Sequence, residues 1–326
     1  MNKSHYFHKN YLPYKVFIIF FSLCYGYFLA GLSIDAFMDR DNYLKYVEDG
    51  ELLLFANASQ GILKIISNEP LWLLLNNILY IILGTPEKVL RCYIFVFSTL
   101  FSYAVLSKGP KNYFWLILFL FVPQVLKNYV IHLRQGVAIA IFLIGFNMRP
   151  SHMKNIVLCS TPFIHASFFF VILFYFVNKI FSIISENKVI KISLAVSFSA
   201  FLVGSLSFLS RVVGARQADE YDFSASLAVS GVGFVFWFLI LVFMLMENRF
   251  FFKKYFFEIF SLIFYLIAYY FVEVSGRIFE SVIILVLISC LNLSGYRKLF
   301  FNILILTFFL ISYTERFSLS QFGFGV

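Results

Sequence analysis

SVIILVLISCLNLSGYRKLFFNILILTFFLISY, residues 281–313, sets two apolar runs, Ser281 to Leu293 and Leu299 to Tyr313, on either side of a polar cluster holding Arg297 and Lys298. In hydrocarbon every backbone N–H and C=O must find its partner within the segment, so the runs are expected as helices and the basic cluster as a loop at the membrane surface. The same pattern extends back through the chain, with further runs at Val16 to Ile34, Leu71 to Leu83, Cys92 to Leu106, Tyr113 to Leu126, Gly136 to Asn147, Ile156 to Val177, Ile192 to Ser210, Ser226 to Met246 and Ile259 to Val272. This predicts an all-α, polytopic integral membrane protein with about eleven segments, several shorter than the roughly 20 residues that cross a bilayer upright. Short segments predict broken or re-entrant helices.

Composition points the same way. Hydrophobic residues make up 61% of the 326 and charged residues 13%, against roughly 45–50% apolar and 25% charged in soluble domains. The longest polar stretch, Asp35 to Glu51, is too short for a core of its own, so residues 1–326 read as one membrane domain. Nucleotide-binding folds, metal-hydrolase domains and nucleic-acid modules have nowhere to sit. Cys24, Cys92, Cys159 and Cys290 lie far apart in apolar runs without metal spacing and read as small core hydrophobes; neither metal nor cofactor is expected.

The net charge of +9, from 26 Lys and Arg against 17 Asp and Glu, is expected to report topology. Lys3, Lys9 and Lys15 precede the first run, which reads as a retained helix with its amino terminus in the cytoplasm. Lys179, Lys188, Lys191, Arg249, Lys253, Lys254, Arg297 and Lys298 also belong inside. The acidic loop 35–51, with six acids against Arg40 and Lys45, and the segment 211–222 then face outward. Strict alternation places Arg149 and Lys154 outside, against their charge. The conflict resolves if Leu52 to Ile66 enters the membrane and Ile156 to Val177 turns back near Pro162, which leaves Asn128 to Arg134 on the outer side.

Ionisable residues near membrane segments are the candidates for chemistry, because a centred charge costs roughly 2.5–3.5 kcal/mol. Asp39-Arg40-Asp41, with Tyr43 and Tyr46 nearby, is either a solvated acidic loop or an acid-x-acid pattern. Glu69 before Pro70 is either a helix-start acid or a catalytic carboxylate. Arg134 and Gln135 precede a small-residue helix, where a guanidinium either anchors the interface or holds a phosphate bidentately. His165, among Phe163, Ile164, Phe168, Phe169 and Phe170, is either a satisfied core residue or a proton acceptor. Glu273, Arg277 and Glu280 share one face if their helix is continuous, and then could pair internally.

These clusters resemble, in order and in type, the EpsG-type family of bacterial polysaccharide polymerases, the Wzy-like proteins. The residues that carry the resemblance are DRDNYLKYV in the acidic loop, NEPLWLLLNNIL around Glu69 and Asn76, HLRQGVAIAIFL around Arg134, STPFIHASFFFVILF around His165 and SGRIFESVI around Arg277. The Arg-Gln-Gly-x-Ala and Phe-x-His-Ala-Ser elements are its most specific parts. The resemblance implies an enzyme of the cytoplasmic membrane that lets a sugar hydroxyl of one undecaprenyl-pyrophosphate-linked oligosaccharide attack the anomeric carbon of another. His165, Glu69 or Asp41 would then supply acid–base or carboxylate chemistry, and Arg134, Arg277, Arg211, Arg216, Gln135 and Tyr43 would bind pyrophosphate or sugar. Membrane lipid is an expected partner, a chain-length regulator another, and nucleic acid is not. The competing classes are a lipid-linked oligosaccharide flippase or other transporter, a membrane sugar O-acyltransferase and a structural assembly subunit. An internal repeat would favour transport, and the sequence holds none.

Overall fold

The computed structural model describes residues 11–213, 231–272 and 274–325, and for residues 11, 12, 110 and 206–213 the backbone alone. In chain order the helices are α1 (Tyr11–Gly31), α2 (Arg40–Glu48), α3 (Gly50–Ser59), α4 (Ile62–Ser67), α5 (Pro70–Leu83), α6 (Pro86–Leu106), α7 (Tyr113–Leu120), α8 (Pro123–Val130) and α9 (Leu133–Asn147). They continue with α10 (His152–Ser160), α11 (Phe168–Ile184), α12 (Lys188–Val213), α13 (Gly231–Leu245), α14 (Arg249–Lys254), α15 (Phe256–Ala268), α16 (Ser275–Glu280), α17 (Ile283–Cys290) and α18 (Gly295–Arg316). Among the described residues there is no strand, only an antiparallel bridge between Phe37 and Gly325. The protein is a polytopic helical membrane protein.

Helices α1, α6, α12 and α18 are long and apolar enough to cross a bilayer, and α5, α9, α11, α13 and α15 are shorter apolar helices. At 1.5 Å per residue a 15-residue helix such as α9 falls short of a hydrocarbon core about 30 Å thick. The expected interruption near Pro162 is present: α10 ends at Ser160, a 3-10 turn covers Thr161–Phe163 and α11 starts only at Phe168. A second interruption corrects the expectation of one span from Tyr113 to Leu126. There α7 and α8 meet at 54°, because Pro123 lacks an N–H and pushes Val122 to an extended ψ of 127°.

The described residues pack as two units, one within Met1–Leu53, Trp72–Ile164 and Tyr313–Val326, the other within Leu54–Leu71 and His165–Ser312. In the first, α6 packs against α1, α9 and α2. Helix association inside a bilayer gains little from water exclusion and depends on close contact, and Gly26 supplies it: a β-carbon there would lie 2.1 Å from Thr99 Oγ1 and 2.7 Å from the Phe95 carbonyl oxygen. Residues far along the chain complete this unit. The Tyr313 hydroxyl donates to the Phe121 carbonyl at 2.6 Å, and the Met38 N–H donates to the Phe324 carbonyl at 3.1 Å, beside the Phe37–Gly325 bridge.

In the second unit α15 is central and packs against α11, α12 and α13. Its Phe256, Phe260 and Phe264 fall one turn apart on one buried stripe, with Phe174 of α11 lying 5.1 Å from Phe260 and 4.8 Å from Phe264 between ring centres. One end of this unit gathers charge. Glu247, just after α13, accepts from the Ser294 N–H at 2.7 Å and from Arg297 Nε at 2.8 Å. Lys188, which opens α12, donates to the Leu245 and Glu247 carbonyls, and Lys253 pairs with Glu186. Three of the basic clusters expected on one side of the membrane therefore sit at one end of this unit. Of the cysteines only Cys290 is buried; Cys24 is exposed on α1, where lipid is as good a surrounding as a core.

Candidate functional site

The second unit brings together two residues that the sequence offered separately. Glu69 has φ of +57°, a left-handed backbone that is costly for a side chain carrying a β-carbon and unusual before a proline, of order 1–3 kcal/mol. What holds it there is its carboxylate: Glu69 Oε1 lies 2.9 Å from His165 Nδ1 and accepts the Ala166 N–H at 3.1 Å. Both side chains are buried. The backbone N–H can only donate, so with Glu69 ionised Nδ1 carries its proton toward Oε1, and Nε2 is the basic nitrogen of the ring. The break in the helix makes this possible, since within a continuous helix the Ala166 N–H would bond to the preceding turn.

His165, Ala166, Ser167 and Phe170 form one wall of a cavity of about 40 Å³, and Val274, Arg277 and Ile278 the other. The Ser167 and Ser281 hydroxyls lie 2.9 Å apart, and Ser281 Oγ donates to the Arg277 carbonyl at 3.2 Å, so α11 and the end of α16 are tied through serines at the cavity edge. A volume of this size holds a water or two and not a hexose. Arg277 is exposed and its helix, α16, begins only at Ser275. Glu273 lies outside the described residues.

In the first unit Arg134 is the second residue of α9, half-buried, with its guanidinium carbon 4.9 Å from the ring centre of Tyr46 and 5.7 Å from that of Tyr43. Both tyrosines come from α2. A cation at a helix amino terminus adds to the positive end of the backbone dipole, which together make a place for an anion, and the aromatic faces hold the guanidinium in position. Gly136 is required here, because a β-carbon at this position would lie 2.1 Å from the Asn128 carbonyl oxygen. Gln135 is buried, and Tyr43 continues through Trp72, 6.0 Å away, to Tyr93, 4.7 Å further, as a row of rings.

Sequence reasoning missed Arg40, which it treated as one charge in a solvated loop. Arg40 is fully buried: Nε donates to the Val130 carbonyl and Nη1 to the Ser33 carbonyl, each at 3.0 Å, and the guanidinium lies 4.6 Å over the Phe37 ring. Burial, and then the Arg91 guanidinium, push its pKa down to about 10, so it stays charged at neutral pH. It fixes the start of α2 to the carboxyl end of α8 and so sets where Tyr43 and Tyr46 meet Arg134. No local pattern announces an arginine buried among carbonyls.

Of the other sequence candidates, Asp41 is exposed in the first turn of α2. Arg211 lies near the end of α12 with its side chain outside the description, and Arg216 is outside the described residues. Glu69, His165 and Arg277 belong to one unit and Asp41, Tyr43, Arg134 and Gln135 to the other. Compared with known proteins, the chain matches one family model, described as the EpsG family, over residues 11–323. No curated protein and no solved structure matches it.

Proposed function

Since the chain belongs to the EpsG family, we propose that it is a membrane glycosyltransferase that polymerises undecaprenyl-pyrophosphate-linked oligosaccharide repeat units into surface polysaccharide, on the outer face of the bacterial cytoplasmic membrane. The observation that carries this reading is the Glu69–His165 pair, buried beside Arg277 at a helix break. The acceptor hydroxyl gives its proton to His165 Nε2 as its oxygen bonds to the anomeric carbon. The bond from that carbon to the pyrophosphate oxygen breaks, and its electron pair leaves with the lipid pyrophosphate. Glu69 keeps Nδ1–H oriented and stabilises the imidazolium, a positioning role like that of the carboxylate in a serine-hydrolase triad. Arg277 meets the charge that develops on the leaving group.

Because the cavity admits only water, substrate docking has to part its two walls before chemistry. Arg134, on its tyrosine platform with Gln135, is read as a second anion or sugar contact, and Arg211 and Arg216 as further contacts for the pyrophosphate. Asp41 is read as an acid of the outer loop that meets the acceptor sugar. In this orientation the amino terminus, Lys253 and Lys298 are cytoplasmic, and the loop 35–51 and the segment 211–222 face out. The clustering of Lys188, Lys253 and Arg297 at one end of the second unit supports that assignment.

Deleting the gene and separating surface polysaccharide on a gel tests the function. Acceptors capped with a single repeat unit are expected. Complete absence of polysaccharide would instead indicate flipping or an earlier step, and full-length polymer lacking O-acyl groups would indicate an acyltransferase.

A further inference from the structure

The second unit holds an apolar groove of about 590 Å³ between α13 and α18, within the range of pockets that enclose a ligand. Val235 and Leu239 of α13 face Leu304, Phe308 and Ile311 of α18, and Tyr270, just beyond α15, stands at one end. Among the described residues nothing covers the groove on the side of α18, a helix long and apolar enough to cross a bilayer whose buried residues are Phe301 and Ile305 alone. Its surroundings are therefore hydrocarbon. It also has a direction. Glu247 bonded to Arg297 marks the end where α13 stops and α18 starts, so Gly231, Tyr270 and Ile311 mark the opposite end.

Arg277 lies within reach of that opposite end. Tyr270 and Val274 are four residues apart, at most about 14 Å even if fully extended, and Val274 and Arg277 line the cavity with His165. A row of rings joins the two features as well: Phe308 lies 4.4 Å from Phe236, Phe236 4.9 Å from Trp237, and Trp237 4.7 Å from Phe279, two residues past Arg277 on α16. An exposed guanidinium within reach of an apolar groove is complementary to a molecule with an anionic head and a long apolar tail.

We infer that the groove between α13 and α18 holds the isoprenoid chain of the lipid-linked donor while the attached pyrophosphate lies at Arg277. This rests on the polymerase reading for the identity of the donor, but the site itself can be tested without activity. The groove is walled mostly by Val, Leu, Ile and Phe side chains, which an apolar isoprenoid chain would contact along its length. Holding the first isoprenes would fix the scissile bond relative to His165, so that remote binding energy positions the reacting carbon.

The experiment is photolabelling of the full-length protein in nanodiscs with undecaprenyl phosphate carrying a diazirine near its phosphate end. Labelled peptides are expected from α13 and α18, and a tenfold excess of unlabelled undecaprenyl phosphate should lower that labelling about tenfold, with an equal excess of dioleoyl phosphatidic acid doing little. Val235→Trp with Thr307→Trp fills the groove from positions that already face outward, so the variant should insert normally and lose label to a similar extent. Equal competition by phosphatidic acid would mean bulk lipid and overturn the inference, as would label elsewhere in the chain or label unchanged in the filled variant. A protein that labels here but builds no polymer would refute the polymerase reading and keep the groove. A polymerase that labels elsewhere would do the reverse.

Discussion

Glu69 and His165, 96 positions apart in the sequence, meet through a single carboxylate oxygen that also accepts the Ala166 N–H. The contact joins a strained residue at the start of one helix to the unwound entrance of another. Two donors on one oxygen leave little freedom for the ring, and that rigidity is what a general base requires.

His165→Gln should keep a hydrogen bond to Glu69 and remove the basic nitrogen, so polymer formation should fall by about 10²- to 10⁴-fold. Glu69→Gln should lose less, because the base survives and only its orientation suffers. The measurement is polymer length and yield at equal membrane abundance of each variant. Full-length polymer from both variants would end any catalytic role for the pair.

Arg134→Lys retains the charge but not the planar guanidinium that spans Tyr43 and Tyr46. Polymerisation should drop by about tenfold or more, since one ammonium cannot reproduce both the stacking and a bidentate contact with an oxygen pair. Complementation of a deletion strain, scored by chain length on a gel, reads the effect. Normal chain length would leave Arg134 as an interfacial anchor.

Gly136→Ala forces a β-carbon against the Asn128 carbonyl at 2.1 Å, so α8 and α9 have to separate. Overpacking of this kind costs about 1–3 kcal/mol. A lowered midpoint of thermal unfolding in detergent is expected, together with weaker function, because Arg134 moves with the helix start. An unchanged midpoint would show that the contact relaxes freely.

Glu247 gives a pH dependence with a definite sign. Burial raises its pKa, but the Ser294 N–H and hydroxyl and Arg297 outweigh burial and hold it below the ordinary value of 4.5. A depressed carboxylate stabilises the fold fully above its unfolded pKa and loses that contribution as pH falls through the folded one. Wild-type protein in detergent should therefore lose thermal stability as pH drops below about 4.5, and Glu247→Gln should already be weaker by about 1–3 kcal/mol at neutral pH. A variant as stable as wild type at pH 7 would contradict the assignment.

The sequence made the helices legible because a bilayer permits few alternatives, and Pro162 in an apolar run announced its own break. Pro123 carried the same signal, yet the apolar run from Tyr113 to Leu126 hid it by looking long enough to span. Glu69 and His165 were each visible as ionisable residues beside apolar runs. Their pairing was not, because it depends on how segments nearly a hundred residues apart fold back, which no local spacing encodes. Arg40 was the opposite case: a charge in an acidic stretch reads as solvated until the carbonyls of Ser33 and Val130 are seen around it.

The pairing of residues 37 and 38 with residues 324 and 325 has a consequence for biogenesis. Translation proceeds at about 5–20 residues per second, so α1 and α2 emerge well before residues 313–325 exist. Until residues 313–325 arrive, the Met38 N–H and the Phe121 carbonyl lack the partners they have in the finished fold, while the start of α2 is already held by Arg40 through the Ser33 and Val130 carbonyls. The tyrosine platform for Arg134 can therefore form before the carboxyl-terminal residues that close the first unit exist. A chain cut short before Tyr313 would thus keep that platform but lose the contacts through Tyr313, Phe324 and Gly325 that close the first unit, and should unfold at a lower temperature than the full chain.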